Sequence, residues 1–67
     1  MKVYFFEELM DMSVNQLLDL LSSYIKLRDD IFILIKNEPD MKEFYIENNL
    51  YFYLLNITKI KNTLETM

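Results

Sequence analysis

From Ser13 to Ile35 the chain reads SVNQLLDLLSSYIKLRDDIFILI, and its apolar positions recur at helical spacing. Val14, Leu18, Leu21, Ile25, Arg28, Phe32 and Ile35 fall on one stripe, spaced alternately four and three. Leu17, Leu20, Tyr24, Leu27, Ile31 and Leu34 form a second stripe directly beside it. Together the two stripes cover more than the roughly 100° face that a surface helix normally turns to its core. Asn15, Asp19, Ser22, Ser23, Lys26, Asp29 and Asp30 occupy the other side, broken only by Ile33. A helix patterned in this way is built to be flanked on two sides.

The ends of this helix are marked. Ser13 and Gln16 have the spacing of a capping box, in which the hydroxyl and the amide each satisfy an otherwise free backbone N–H. Pro39 disfavours helical geometry at Glu38, and Asn37 is expected to close the helix in a left-handed cap. These signals predict a helix over about 13–37. Asp40, with Glu43 three residues on, has the spacing of a second capping box and predicts a second helix over about 40–65, its tail fraying from Asn62.

The second helix has its own stripe: Ile46, Leu50, Tyr53, Ile57, Ile60 and Leu64. Read backwards it meets the first stripe position for position, with Ile46 opposite Phe32, Leu50 opposite Arg28, Tyr53 opposite Ile25, Ile57 opposite Leu21, Ile60 opposite Leu18 and Leu64 opposite Val14. Every pair is equidistant from the turn at Asn37–Pro39, as an antiparallel hairpin requires. The opening residues MKVYFFEELMDM carry Val3, Phe6, Leu9 and Met10 at helical spacing, while VYFF alone would suit a strand. A lone strand has no partner for its backbone groups, so a short helix over about 3–11, or an apolar arm, is expected to lie on the second stripe. The chain therefore reads as a single all-α domain, an antiparallel helical hairpin with a short N-terminal helix or arm.

Composition narrows the function classes. A chain of 67 residues carries a core that barely offsets its ordering entropy, and such domains add a disulfide, a metal or a second subunit. With no Cys and no His, the disulfide, the thiolate nucleophile, the usual zinc ligands and the commonest general base are all missing. Without glycine there is no phosphate-cradling loop. Glu43 and Glu47 lie one turn apart, with Asp29 and Asp30 near the same end of the hairpin, but bundle metal sites recruit a Glu-x-x-His pair that this chain lacks. No enzyme, cofactor or metal site is expected. Oligomerisation, or docking on a partner, is the staple that remains, and dimerisation into a helical bundle is expected.

The net charge of −4, with seven scattered Lys and Arg, argues against direct nucleic-acid binding. The longest apolar run, IFILI, is far short of a membrane span, and the N-terminal stretch lacks the apolar length of a secretory signal, so a cytoplasmic protein is expected. Two surfaces are left for partners. One is the second stripe, through Leu20, Tyr24, Leu27 and Ile31; the other is an aromatic arc on the second helix, through Phe44, Tyr45, Tyr51, Phe52 and Leu55 with Met41 beside it. Arg28 has two readings: its guanidinium reaches Glu47, Asn48 or Asn49 on the facing helix, or it specifies a partner or register. The expected function is a small non-enzymatic protein-binding regulator or inhibitor, partnering itself as a homodimer, another protein, or both. An acidic nucleic-acid mimic or regulator of a DNA-binding protein is the alternative, and a structural or chaperone-like subunit of a larger assembly is a further one.

Overall fold

The computed structural model describes residues 2–67, and among them there is no strand. The fold is all-α. Helix α1 spans Phe6–Met10 and α2 spans Val14–Asn37; a 3₁₀ turn at Pro39–Met41 leads into α3 (Lys42–Tyr45), a π turn at Ile46–Leu50, and α4 (Tyr51–Glu65). α2 and α4 pack side by side in opposite directions, since Leu17 near the start of α2 joins Ile60 while Ile31 near its end joins Leu50 and Tyr53. The molecule measures 41 × 17 × 16 Å, so its cross-section admits little more than two helices and the arm.

The α2 N-terminus is built as its spacing predicts. Gln16 N–H donates to Ser13 Oγ at 3.2 Å, and Ser13 N–H donates to Gln16 Oε1 at 2.9 Å. Ser13→Ala is expected to cost about 1 kcal/mol, read as a lowered denaturation midpoint in circular dichroism. The turn differs from its prediction in two ways. Asn37 is not left-handed, because no described residue has positive φ; instead Glu38, with φ −131° and ψ 68°, ends the helix and donates its N–H to the Leu34 carbonyl at 2.8 Å. No capping box forms at Asp40 and Glu43, because Pro39 at the first helical position starts the 3₁₀ turn directly, one residue early.

The hairpin register also shifts, by one residue on α2. Ile60 shares a cluster with Leu17 where Leu18 was expected, and the Tyr53 ring lies 6.2 Å from that of Tyr24 where Ile25 was expected. Ile46 packs around Ile31, and Phe32 is left 47% exposed. The buried line therefore combines Leu21 and Ile35 of the first stripe with Leu17, Tyr24 and Ile31 of the second. The cause is the third layer. α2 faces both α4 and the N-terminal segment, and only the border between its two stripes is within reach of both.

The π turn had no counterpart in the sequence reading. Asn48 Nδ2 donates to the Phe44 carbonyl at 2.8 Å, the acceptor that an α-helix would offer to the Asn48 N–H. Tyr51 N–H then closes a wider turn onto the Ile46 carbonyl. Two adjacent asparagines, whose short amides compete with the backbone, are the local reason.

Candidate interaction surface

Residues 2–4 are bonded to α4 through their backbone. Residues 2–5 are irregular or extended, with Phe5 at φ −78° and ψ 151°, and they run along α4 before α1 begins. Tyr4 N–H donates to Asn56 Oδ1 at 2.9 Å, and Asn56 Nδ2 donates to the Lys2 carbonyl at 2.9 Å. Lys59 Nζ donates to the Tyr4 carbonyl at 3.0 Å. Asn56 is 0% exposed, so both halves of its amide need these partners. The Tyr4 ring stands edge-on to Tyr24 at 6.3 Å, and Leu9 completes a fully buried cluster with Leu17 and Ile60. Glu8 ties the segment to itself, accepting from Lys2 Nζ at 2.7 Å and from Phe5 N–H at 3.1 Å.

Apolar surface remains outside this packing. Val14, Leu18 and Phe32 are exposed along one edge of α2, Leu27 and Leu34 along the other, and Ile33 on its back is 58% exposed. On the returning helical arm of the hairpin, Met41, Phe44, Tyr51 and Leu54 are exposed, with Phe44 at 53% and Tyr51 at 56%. The rings are ordered in edge-on pairs: Phe44 against Tyr45 at 5.9 Å, and Tyr51 against Phe52 at 5.6 Å. Tyr51, Leu54, Leu55, Thr58 and Lys59 line an open depression of about 350 Å³ on the outer face of α4. A second depression, about 370 Å³, lies on α2 between Met12, Gln16, Asp19, Leu20 and Ser23.

The residues singled out from sequence separate into two sets. Phe44 and Tyr51 are open to solvent, and Phe52 and Leu55 are half-buried beside them. Tyr45 is half-buried and its hydroxyl donates to Glu38 at 3.0 Å. Of the four α2 positions assigned to a partner, only Leu27 is exposed. Ile31 is a core residue, and Leu20 and Tyr24 pack into the cluster beneath Tyr4 and Met12, so the chain itself covers three of the four α2 positions assigned to a partner. The one-residue roll of α2 is the reason. Arg28 also differs from its first reading: its Nε and Nη2 donate to Asp29 Oδ1 at 3.2 and 3.1 Å rather than to the facing helix. The sequence reading missed Asn56 and Lys59, since a single amide on a helix carries no periodic signal.

Burial, with Tyr4 alongside, pushes the Tyr24 hydroxyl pKa above its ordinary 10.0, and donation to the Glu38 carboxylate raises that of Tyr45. The bond to Glu8 raises Lys2, and the bonds from Lys2 and from the Phe5 N–H lower Glu8. A raised folded-state value contributes stability that is complete below the unfolded value and is lost as pH rises through the folded one. Three of the four groups thus lose their contribution on the alkaline side, whereas that of Glu8 is lost only as pH falls through its lowered value. Unfolding midpoints are expected to hold through neutral pH and drop above about pH 10. Tyr24→Phe should blunt the drop, and an undiminished drop in that variant would remove Tyr24 as its cause.

Among the described residues, no group of three or more His, Cys, Asp or Glu is placed to hold a metal, so Glu43, Glu47, Asp29 and Asp30 do not assemble into one. Among them, too, no helix is long and apolar enough to cross a membrane. No known protein family, curated protein or solved structure matches the chain.

Proposed function

We propose that the chain is a small, non-enzymatic protein-binding regulator or inhibitor of the cytoplasm. It works as a homodimer, through the apolar and aromatic surface of its helices. The observation that supports this most directly is the pair of exposed rings Phe44 and Tyr51, each more than half open to solvent and each braced edge-on by a neighbouring aromatic. Aromatic side chains with few rotatable bonds bury large areas at low entropic cost and dominate interface energetics. Met41 and Leu54 extend the apolar surface, and long-range orientation of a partner would come from the chain's net charge of −4. A second copy laid on this face or on the Val14–Leu18–Phe32 edge makes a helical bundle of the kind short hairpins use to complete a core.

Sedimentation equilibrium over a wide concentration range tests the reading. A discrete dimer that Phe44→Glu or Tyr51→Glu converts to monomer, with little dependence on salt, is expected. A monomer at every concentration overturns the homodimer. Capture of a basic partner that weakens steeply with salt would instead favour the nucleic-acid mimic, since only an electrostatic contact is so screened.

A further inference from the structure

We infer that the groove between α2 and α4 is a docking site for an extended polypeptide segment, filled here by residues 2–4 of the same chain and open to the same residues of a second copy. This surface meets the aromatic face only at Lys59, and the inference does not rest on that face's role.

The contacts are those of strand recognition. Asn56 gives its whole side chain to two main-chain groups, the Lys2 carbonyl and the Tyr4 N–H, which point the same way from an extended segment. Its amide stands in for one residue of a neighbouring parallel strand. Lys59 adds a charged donor to the next carbonyl, that of Tyr4. Main-chain bonds of this kind give affinity without regard to sequence, and the side-chain seat gives selectivity. The seat here is aromatic: Tyr4 stands on Tyr24, which in turn lies against Tyr53. The Lys2 side chain, by contrast, bonds Glu8 of the same segment and lies 4.6 Å above the Tyr4 ring.

Nothing in these contacts involves the Asp11–Ser13 connection, so residues 2–4 of a second copy meet the same groove with the same atoms. Exchange of an identical element between copies changes no contact energy and is the low-cost route to a dimer. The cis segment also leaves Phe5 68% exposed and Phe6 45% exposed, so docking in cis does not satisfy its apolar side chains. The obstacle is kinetic and statistical: a short tether gives the cis segment an effective concentration on the order of millimolar. A trans segment therefore binds only in proportion to the fraction of time the groove is vacated.

The test uses the full chain and a fluorescent synthetic peptide of residues 2–12, with binding read by anisotropy. Tyr4→Ala weakens the cis segment while leaving the groove intact, and is expected to tighten apparent peptide affinity by about tenfold or more over the parent chain. In that background Asn56→Ala should weaken binding by at least about tenfold, and Lys59→Met by a few-fold. Circular dichroism establishes that helicity is retained, and Lys59→Met, at the edge of the groove, carries the test if the Asn56 variant unfolds. Phe44→Glu, which disrupts the helix-face dimer, should leave peptide binding unchanged. Failure of the Tyr4→Ala chain to bind, equal binding by parent and variant, or equal binding of a peptide with residues 2–6 scrambled would each overturn the inference.

Discussion

Leu17→Ala is expected to cost about 2–5 kcal/mol of folding stability, the range for truncating a fully buried leucine. Leu17 is 0% exposed and touches all three layers, closing one cluster with Leu9 from α1 and Ile60 from α4. A stability of about 0.05–0.15 kcal/mol per residue gives a domain of this size about 3–10 kcal/mol in all. The substitution therefore removes a large share of it, and at the lower end unfolds the chain. Relaxation offers little relief, because Leu9 and Ile60 are themselves fully buried and are held by helices packed against other groups. Leu18→Ala is the control. Leu18 is the residue that the heptad spacing places opposite Ile60, yet it is 46% exposed, and its truncation should cost less than about 1 kcal/mol. Denaturant titrations of the two variants by circular dichroism decide between the registers. If Leu18→Ala is the more damaging, α2 is rolled as its sequence pattern alone would place it.

That contrast marks where the sequence is informative. The stripe Ile46, Leu50, Tyr53, Ile57, Ile60 and Leu64 is narrow and has one solution, and every one of its members is buried or half-buried. The apolar half of α2 is wide and has two adjacent solutions, and choosing between them requires knowing where a third element lies. The Ser13 cap was legible because both of its partners sit within one turn. The Asn56 clamp was not legible, because its two partners are 52 and 54 residues away in sequence. The aromatic arc was readable as surplus: one helix cannot bury opposite sides against one partner, and Phe44 and Tyr51 are indeed left open. The π turn lay beyond spacing rules, since it depends on which of two neighbouring asparagines diverts a carbonyl.

Asn56→Leu is expected to release residues 2–5 from the hairpin without melting the hairpin, with α1 still anchored through Leu9. Leucine matches asparagine in the number and branching of its heavy atoms, though it is bulkier, and it has neither the donor nor the acceptor, so a segment left in place would keep the Tyr4 N–H and the Lys2 carbonyl unsatisfied under cover. An unpaired buried group costs about 1–3 kcal/mol, so the two together cancel what the Tyr4–Tyr24 edge contact and the Lys59 bond return. The segment therefore moves into water, where both groups regain partners, and the loss is confined to what its docking contributed, about 2–3 kcal/mol. Hydrogen exchange reads this site by site. The Tyr4 amide should lose its protection, while amides of α4 around Ile57 and Ile60, bonded within the helix, keep most of theirs. The leucine then faces the vacated groove and improves its apolar character, so the hairpin that remains stays helical. A uniform loss of protection along α2 and α4 would sink this account, and would mean that the arm and the hairpin fold as one unit with Asn56 at their shared core.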